Sequence, residues 1–515
     1  MNTQRQRKRF LAVSGVGLLT LLLAGCGTTG TQAATPPTAK PAAHRTGGAP
    51  SIGWKGTITM FAQAYTPHVP GLTLPYGTGN SKLTMFEAAA KSFEKLYPGI
   101  HIKFVYPAAA NTGNPQWYET RAAAGQLPDV LWSPYVNNNN VLPHGIFTNL
   151  APYFRQPNPY ISGNKAWQDV MNPNVLKMVQ APNGSQYQVD GDWVGTSFYY
   201  NKDMFAKAGI RSTPKTWGQL IQDVKTLQAH HIVPGANIPN YGWYSRLFLG
   251  NYLGQSTLQK LASYTPHSSG VITSYDEVMG YHAGILNPAT NPRIMAWWPV
   301  MKELYNYWDK NVTNVSAINP PTGAPSGEST FAAGKIAMTY QGSWTPNTLQ
   351  GPPPVKFHYG SFNFPSLKGS SPYATNLDSS GAVGGPSAAF SYSIPTQRAD
   401  STMTSAKFQA VLDWVRFFST PHWDQAIVNQ LGSFVPTFKG TKPLPVNASL
   451  AAQIQKPFYV CFGFSDLSPE ASNRITQLFQ EYVSGHISFS LAKQQYDSIV
   501  QQAVQQYVIT NHVHF

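Results

Sequence analysis

Short apolar stretches of two different periods follow one another along this chain, and their order constrains the fold more than any other feature. Residues 58–62 form a short apolar run with the content of a strand. Leu83, Phe86, Ala90, Phe93 and Tyr97 then recur at helical spacing, with Glu87 and Lys91 an i,i+4 pair on the outside. Pro98-Gly99 stops that helix, and Ile100, Ile102 and Phe104 alternate as strand residues do. Residues 129–132 start another strand. Strand, helix and strand in this order predict a sheet with helices on its faces, an α/β fold.

A second unit opens near Ser197, with residues 197–201 as its strand. Thr216-Trp217-Gly218-Gln219 has the form of a capping box, and Leu220, Ile221, Val224 and Leu227 share the face of the helix behind it. Phe408, Val411, Leu412, Val415 and Phe418 make a later stripe, and Ile475, Leu478, Phe479 and Tyr482 another. No fixed period repeats, which disfavours solenoids and propellers. A length of 515 residues fits about two to four domains. Only 11% of residues are charged, but 42% are hydrophobic, so the chain can fill large cores. With 43 Gly and 42 Pro, its loops should be long and turn-rich, 137–140 among them.

Arg5, Arg7, Lys8 and Arg9 precede an apolar run over 10–23, too short for a membrane span of ~20 residues. Basic start, apolar middle and small residues describe a secretory signal peptide over 1–25. Leu23-Ala24-Gly25-Cys26 resembles the bacterial lipobox, in which the cysteine is lipidated and becomes the new N-terminus. Cleavage there would remove four basic residues and take the net charge from +14 to +10. Residues 26–51 are the lipidated cysteine and a Thr-, Ala-, Pro- and Gly-rich tether that cannot form a core. Two cysteines exclude a disulfide-rich scaffold or a cysteine-cluster metal site. With Cys26 lipidated, Cys461 is expected to be a buried free thiol.

Several segments, in this order, resemble the family 1 extracellular solute-binding proteins of ABC importers, the family of the maltose-binding protein. They are Phe93-Glu94-Lys95-Leu96-Tyr97-Pro98-Gly99-Ile100, then 122–130 reading AAAGQLPDV, then Tyr199-Tyr200-Asn201-Lys202-Asp203-Met204-Phe205 with Pro214-Lys215-Thr216-Trp217. Phe331-Ala332-Ala333-Gly334-Lys335-Ile336-Ala337-Met338 with Gly342-Ser343-Trp344 completes the series. The chain departs from the family at Asp190, where a proline is usual, and in apparent insertions over 67–81 and 265–293.

The resemblance implies a two-lobed periplasmic-binding-protein (type II) architecture with a central ligand cleft. Lobe 1 would be 58–195 plus 365–419, and lobe 2 would be 196–364 plus 420–515. It further implies a monomer that takes no cofactor. A sugar or oligosaccharide would be held between the lobes and delivered to the transmembrane subunits of a permease. The body would stand on the outer face of the cell membrane through the lipid on Cys26, or in the periplasm where the cell has an outer membrane.

A sugar offers apolar faces to aromatic rings and hydroxyls to carboxylates and amides. Trp132 ends the Pro128-Asp129-Val130 strand, and Ser343 and Trp344 occupy the family's second-lobe aromatic position. Core packing is the alternative for both tryptophans. Asp190, Asp192 and Trp193 precede the first strand expected to cross between lobes, two aspartates around Gly191 in a chain poor in acids. Tyr65 follows the first strand, where α/β sheets bind ligands beyond their carboxyl ends. Trp243, and more weakly Ser433 and Phe434, complete the set.

No G-x-S-x-G, G-x-x-x-x-G-K-[ST] or H-E-x-x-H motif is present. His230-His231 and His512-Val513-His514 are poor metal sites, because neighbouring helical side chains diverge and the second pair sits at a chain end. The positive charge forms no basic runs in the body, which argues against nucleic acid. Two alternatives remain: a lipid-anchored cell-surface carbohydrate-processing enzyme, and a binding protein for a glycerol phosphate ester or other small solute. The shortage of carboxylates also predicts a flat acid limb of stability.

Overall fold

The structure, a computed structural model, describes residues 50–515 apart from 68–82, 108–114, 134–144, 182, 237–240, 267–271, 309–326, 351–352, 375–383, 387–388, 452–453, 455–458, 460, 462 and 466. The signal peptide, Cys26, the tether, most of the 67–81 insertion and the 137–140 loop lie outside the described residues.

The strands are β1 (Gly56–Phe61), β2 (Ile100–Phe104), β3 (Val130–Trp132), β4 (Val189–Asp190), β5 (Asp192–Asn201), β6 (Met338–Gly342), β7 (Tyr359–Phe362), β8 (Gly384–Pro386), β9 (Ser391–Ser393) and β10 (Val435–Pro436). They form two sheets. The first has the order β2-β1-β3-β9-β4, with β1 parallel to β2 and β3, and β9 antiparallel to β3 and β4. The second is centred on β5, whose start pairs antiparallel with β10 and β8 and whose end pairs with β6 and β7.

Helix Met85–Leu96 turns Phe86, Ala89, Ala90 and Phe93 into the first core and leaves the Glu87–Lys91 pair in solvent. Each of the two phenylalanines contributes roughly 1.5–3 kcal/mol on full burial. Thr216 and Gln219 cap helix Trp217–Ala229 reciprocally, and Leu220, Ile221, Val224 and Leu227 are all buried. A buried ion pair, Lys407 Nζ to Asp129 Oδ1 at 2.5 Å, ties helix Ser405–Phe418 to the strand start where Asp129 also accepts from Thr59.

Each sheet has its own core. The first gathers Ile58, Phe86, Phe93, Leu131, Phe390 and Trp414; the second gathers Phe198, Trp217, Trp297, Trp298, Tyr340 and Phe479. Both cores run across the expected changeovers. Leu367, Tyr373 and Ala374 pack on the second core, whereas Ile427, Val428, Leu431, Phe434 and Phe438 pack on the first. Residues on both sides of 364/365 thus share the second core, and residues on both sides of 419/420 share the first. The chain changes sheets at β8–β9 and at β10, because there its backbone leaves one set of pairing partners for the other.

The 265–293 insertion folds into the second core through helix Ser274–His282. Its Glu277 is fully buried and accepts from the Gly463 and Phe464 amides at 2.8 and 2.7 Å and from the Cys461 thiol at 3.2 Å. Cys461 is buried, as its sequence context predicts.

Candidate functional site at the strands between the sheets

Three backbone segments run between the two sheets: β4 into β5, β8 into β9, and β10. Gly191 is where they meet. Its N–H donates to Phe390 O at 2.9 Å, and its carbonyl accepts from Thr437 N at 3.0 Å. A Cβ on Gly191 would lie 2.3 Å from Asp424 Oδ1 and 2.5 Å from the Phe390 ring. Only glycine fits between these groups.

Asp192 is fully buried at the start of β5, and one oxygen collects donors from two other segments. Asp192 Oδ2 accepts from Tyr65 O–H at 2.8 Å, Ala389 N at 2.9 Å and Phe390 N at 2.8 Å. Tyr65 stands in the turn Gln63–Tyr65 after β1, its ring edge-on to Phe390 and Phe434. Burial and then the Asp192 carboxylate push its phenol far above the usual range. Asp190 is buried too and accepts from Gln188 Nε2 at 2.6 Å, which also donates to Ser391 Oγ.

The sequence-predicted residues thus divide. Tyr65, Asp190, Asp192, Trp193 and Phe434 come together at the crossing segments, and Ser433 is buried beside them. Trp193 is fully enclosed among Val175, Met178, Val435, Leu450 and Ile454. Ser343 is also fully buried; its N–H donates to Gly195 O at 2.8 Å, so it fastens the middle of β5 to the end of β6.

Trp344 is different, being half-buried. Its indole lies on the Cα of Gly342, where a Cβ would fall 2.1 Å from a ring carbon. Gly342 therefore leaves room for the ring against the strand end. Trp132 sits at the carboxyl end of β3, 7% exposed, with its ring edge-on to Phe61. Trp243 belongs to helix Tyr241–Leu253, and its side chain lies outside the described residues.

Two residues at this junction escape sequence reasoning. Asp424 reads as an ordinary first-turn acid of helix Pro421–Leu431, behind the Thr420 cap, yet it is fully buried against Gly191. Gln63 is a buried non-glycine residue at φ 51, in the left-handed region, and its side-chain oxygen accepts from the Ala64 amide. A signal for Asp424 existed in the isolated Gly191 between two acids, but nothing in the sequence says what approaches that glycine.

Among the described residues no group of three or more His, Cys, Asp or Glu side chains could hold a metal, and no helix is long and apolar enough to cross a membrane.

By sequence, no curated protein matches the chain. Among solved structures it is similar to a chitin oligosaccharide binding protein, at 20% identity and a TM-score of 0.57 over 88% of this chain and 99% of that one. It is likewise similar to the apo-form of RafE from Streptococcus pneumoniae, at 19% identity and a TM-score of 0.56 over 89% and 100%. A third is the GacH receptor of Streptomyces glaucescens GLA.O, at 14% identity and a TM-score of 0.54 over 88% and 100%. These likenesses share the two-lobed α/β fold. The model of the bacterial extracellular solute-binding proteins matches residues 79–421, most of the chain, and the protein belongs to that family.

Proposed function

We propose that this protein receives a sugar or oligosaccharide between its lobes and hands it to the transmembrane subunits of an ABC importer, making and breaking no bond. The observation that carries the reading is Trp344. It is a partly buried indole packed on Gly342 at the end of β6, the strand that pairs with β5, while Trp193 is sealed in a core. A flat, partly open aromatic face suits the apolar face of a pyranose. The names of the structural neighbours support the same ligand class: one binds chitin oligosaccharides, one is described with raffinose and one with acarbose.

In this reading Trp132 and Trp344 contact the ligand from the first and second lobes, with Trp243 a third contact. Tyr65, Asp190, Asp192, Trp193, Ser343 and Phe434 shape and fasten the junction behind them. The lobes exchange at β4–β5, at β8–β9 and at β10. Ligand touching both lobes stabilises the closed arrangement by its differential affinity. The receptor is a monomer held at the outer face of the membrane by lipid on Cys26.

A thermal-shift screen of neutral oligosaccharides and sugar phosphates tests the ligand class, because a ligand stabilises by RT ln(1 + [L]/Kd). Shifts with neutral sugars are expected. Shifts confined to phosphorylated compounds would reject the neutral-sugar reading, and release of reducing ends would reject binding without turnover. Cys26→Ala should leave any thermal shift intact and send the protein into the medium. Wild-type protein found free and unmodified there would dismiss the anchor.

A further inference from the structure

Asp192 and Asp424 lie on either side of Gly191, and their surroundings differ in one respect. Asp192 is satisfied by three donors. Asp424, equally buried, accepts a long bond from Phe438 N, 3.3 Å, at Oδ2, with the Thr437 amide as a second, weaker backbone donor. Its Oδ1 has no hydrogen-bond partner among the described residues and rests against Gly191.

The titratable groups around Asp424 give it no counter-charge. β4 and β5 bring Asp190, already bound to Gln188, and Asp192; the turn after β1 brings Tyr65. On its own helix His422 is exposed, and beyond β10 the Lys439 ammonium donates to Asp169 O. On helix Met85–Leu96, which packs against the Asp424 helix, Glu87 and Lys91 pair with each other in solvent and Glu94 accepts from Ile102 N. Burial, then the Asp192 charge, hold the Asp424 carboxyl well above the usual carboxylate range.

Two carboxylates flanking one glycine in a dry junction do not both ionise without cost. An ionised oxygen with no donor draws in water, and Gly191 leaves no room for water while the strands stay as they are. We propose that Asp424 is a positioning residue that holds the β4–β5 turn at Gly191 against the segment after β10 while it carries a proton, and that its ionisation loosens this contact and makes lobe movement pH-dependent. The proposal rests on the two-lobed fold and not on the ligand class, so its test needs no sugar.

The test is amide hydrogen exchange in the ligand-free protein, followed at Gly191, Thr437 and Phe438 at about pH 5 and about pH 8 and corrected for intrinsic rates. Wild-type protection at these amides should fall about tenfold or more toward the higher pH. Asp424→Asn should keep its protection at both values. A wild type with no pH dependence, or an Asp424→Asn variant with the wild-type slope, would overturn the proposal. If the variant does not fold, the wild type decides alone. The infrared band of a buried protonated carboxylic acid should be present at about pH 5 and vanish over the range in which protection falls. Absence of that band at the lower pH overturns the proposal equally.

Discussion

Glu277 in the second lobe and Asp424 at the junction are both acids with no exposed surface, yet they do different physical work. Glu277 is surrounded by donors: two backbone amides and a thiol from the turn 461–464 point at its two oxygens. The turn needs that support, since Phe464 lies at φ 66 and Gly463 at φ 64. Asp424 has weak donors in Phe438 and Thr437, and an Oδ1 with no hydrogen-bond partner among the described residues. A carboxylate with its donors in place is an anchor and wants to stay charged. One without them wants its proton, and becomes sensitive to whatever changes its solvation. Burial alone does not distinguish an anchor from a sensor; the donors do.

Amide substitutions separate the two most strongly. Glu277→Gln turns an NH2 group toward a buried N–H, and the unmade bonds cost about 1–3 kcal/mol each. We expect a loss of several kcal/mol, read as a lower denaturant midpoint. Asp424→Asn keeps an acceptor for Phe438 and removes only the ionisable proton. It should be neutral or mildly stabilising at neutral pH. Equal losses in both variants would erase the distinction.

The tryptophans offer the next contrast. Trp193→Ala empties a closed core and should cost about 3–5 kcal/mol of folding stability. Trp344→Ala should move the melting temperature of the free protein little and weaken sugar binding by about 2 kcal/mol or more, a factor of ten for each 1.4 kcal/mol. A Trp344→Ala variant that binds normally but melts early would make Trp344 a core residue.

The smallest effect is a slope. Asp413 in helix Ser405–Phe418 is buried next to Arg416, and burial outweighs that cation and pushes its carboxyl up to about 6. A folded pKa above the unfolded value of ~3.9 means the native state binds more protons between the two. Stability should therefore fall, by about 1.4 kcal/mol for each pH unit, as pH rises from ~4 to about 6, and stay level above. Asp413→Asn should flatten that part of the profile. Stability that instead rises through the window would contradict the direction.

Much of the fold was legible in the sequence. Helix Met85–Leu96, the alternation of β2 and the Thr216 cap follow from local spacing, and the structure displays them nearly residue for residue. The junction was legible only in part. Asp190, Asp192 and Tyr65 stand out as scarce polar residues at strand ends, but sequence could not say that Tyr65 and Asp192 bond each other. Their partners Ala389, Phe390 and Asp424 are about 200 residues or more away along the chain, and a capped helix start looks the same buried or exposed. Nor could it sort Trp193 from Trp344, because an indole serves a core and a sugar face through the same apolar surface. Where the chain passes between the sheets is hidden for a related reason: changeovers are set by strand pairing, which leaves no local mark.

In the proposed function, ligand is gripped between two lobes without turnover. Small-angle scattering of the protein with and without the oligosaccharide that gives the largest thermal shift, alongside a product assay on the same samples, addresses that directly. Saturable binding with a contracted particle and unchanged sugar is the expected result. Contraction absent at saturation, or sugar cleaved in step with protein concentration, would contradict it.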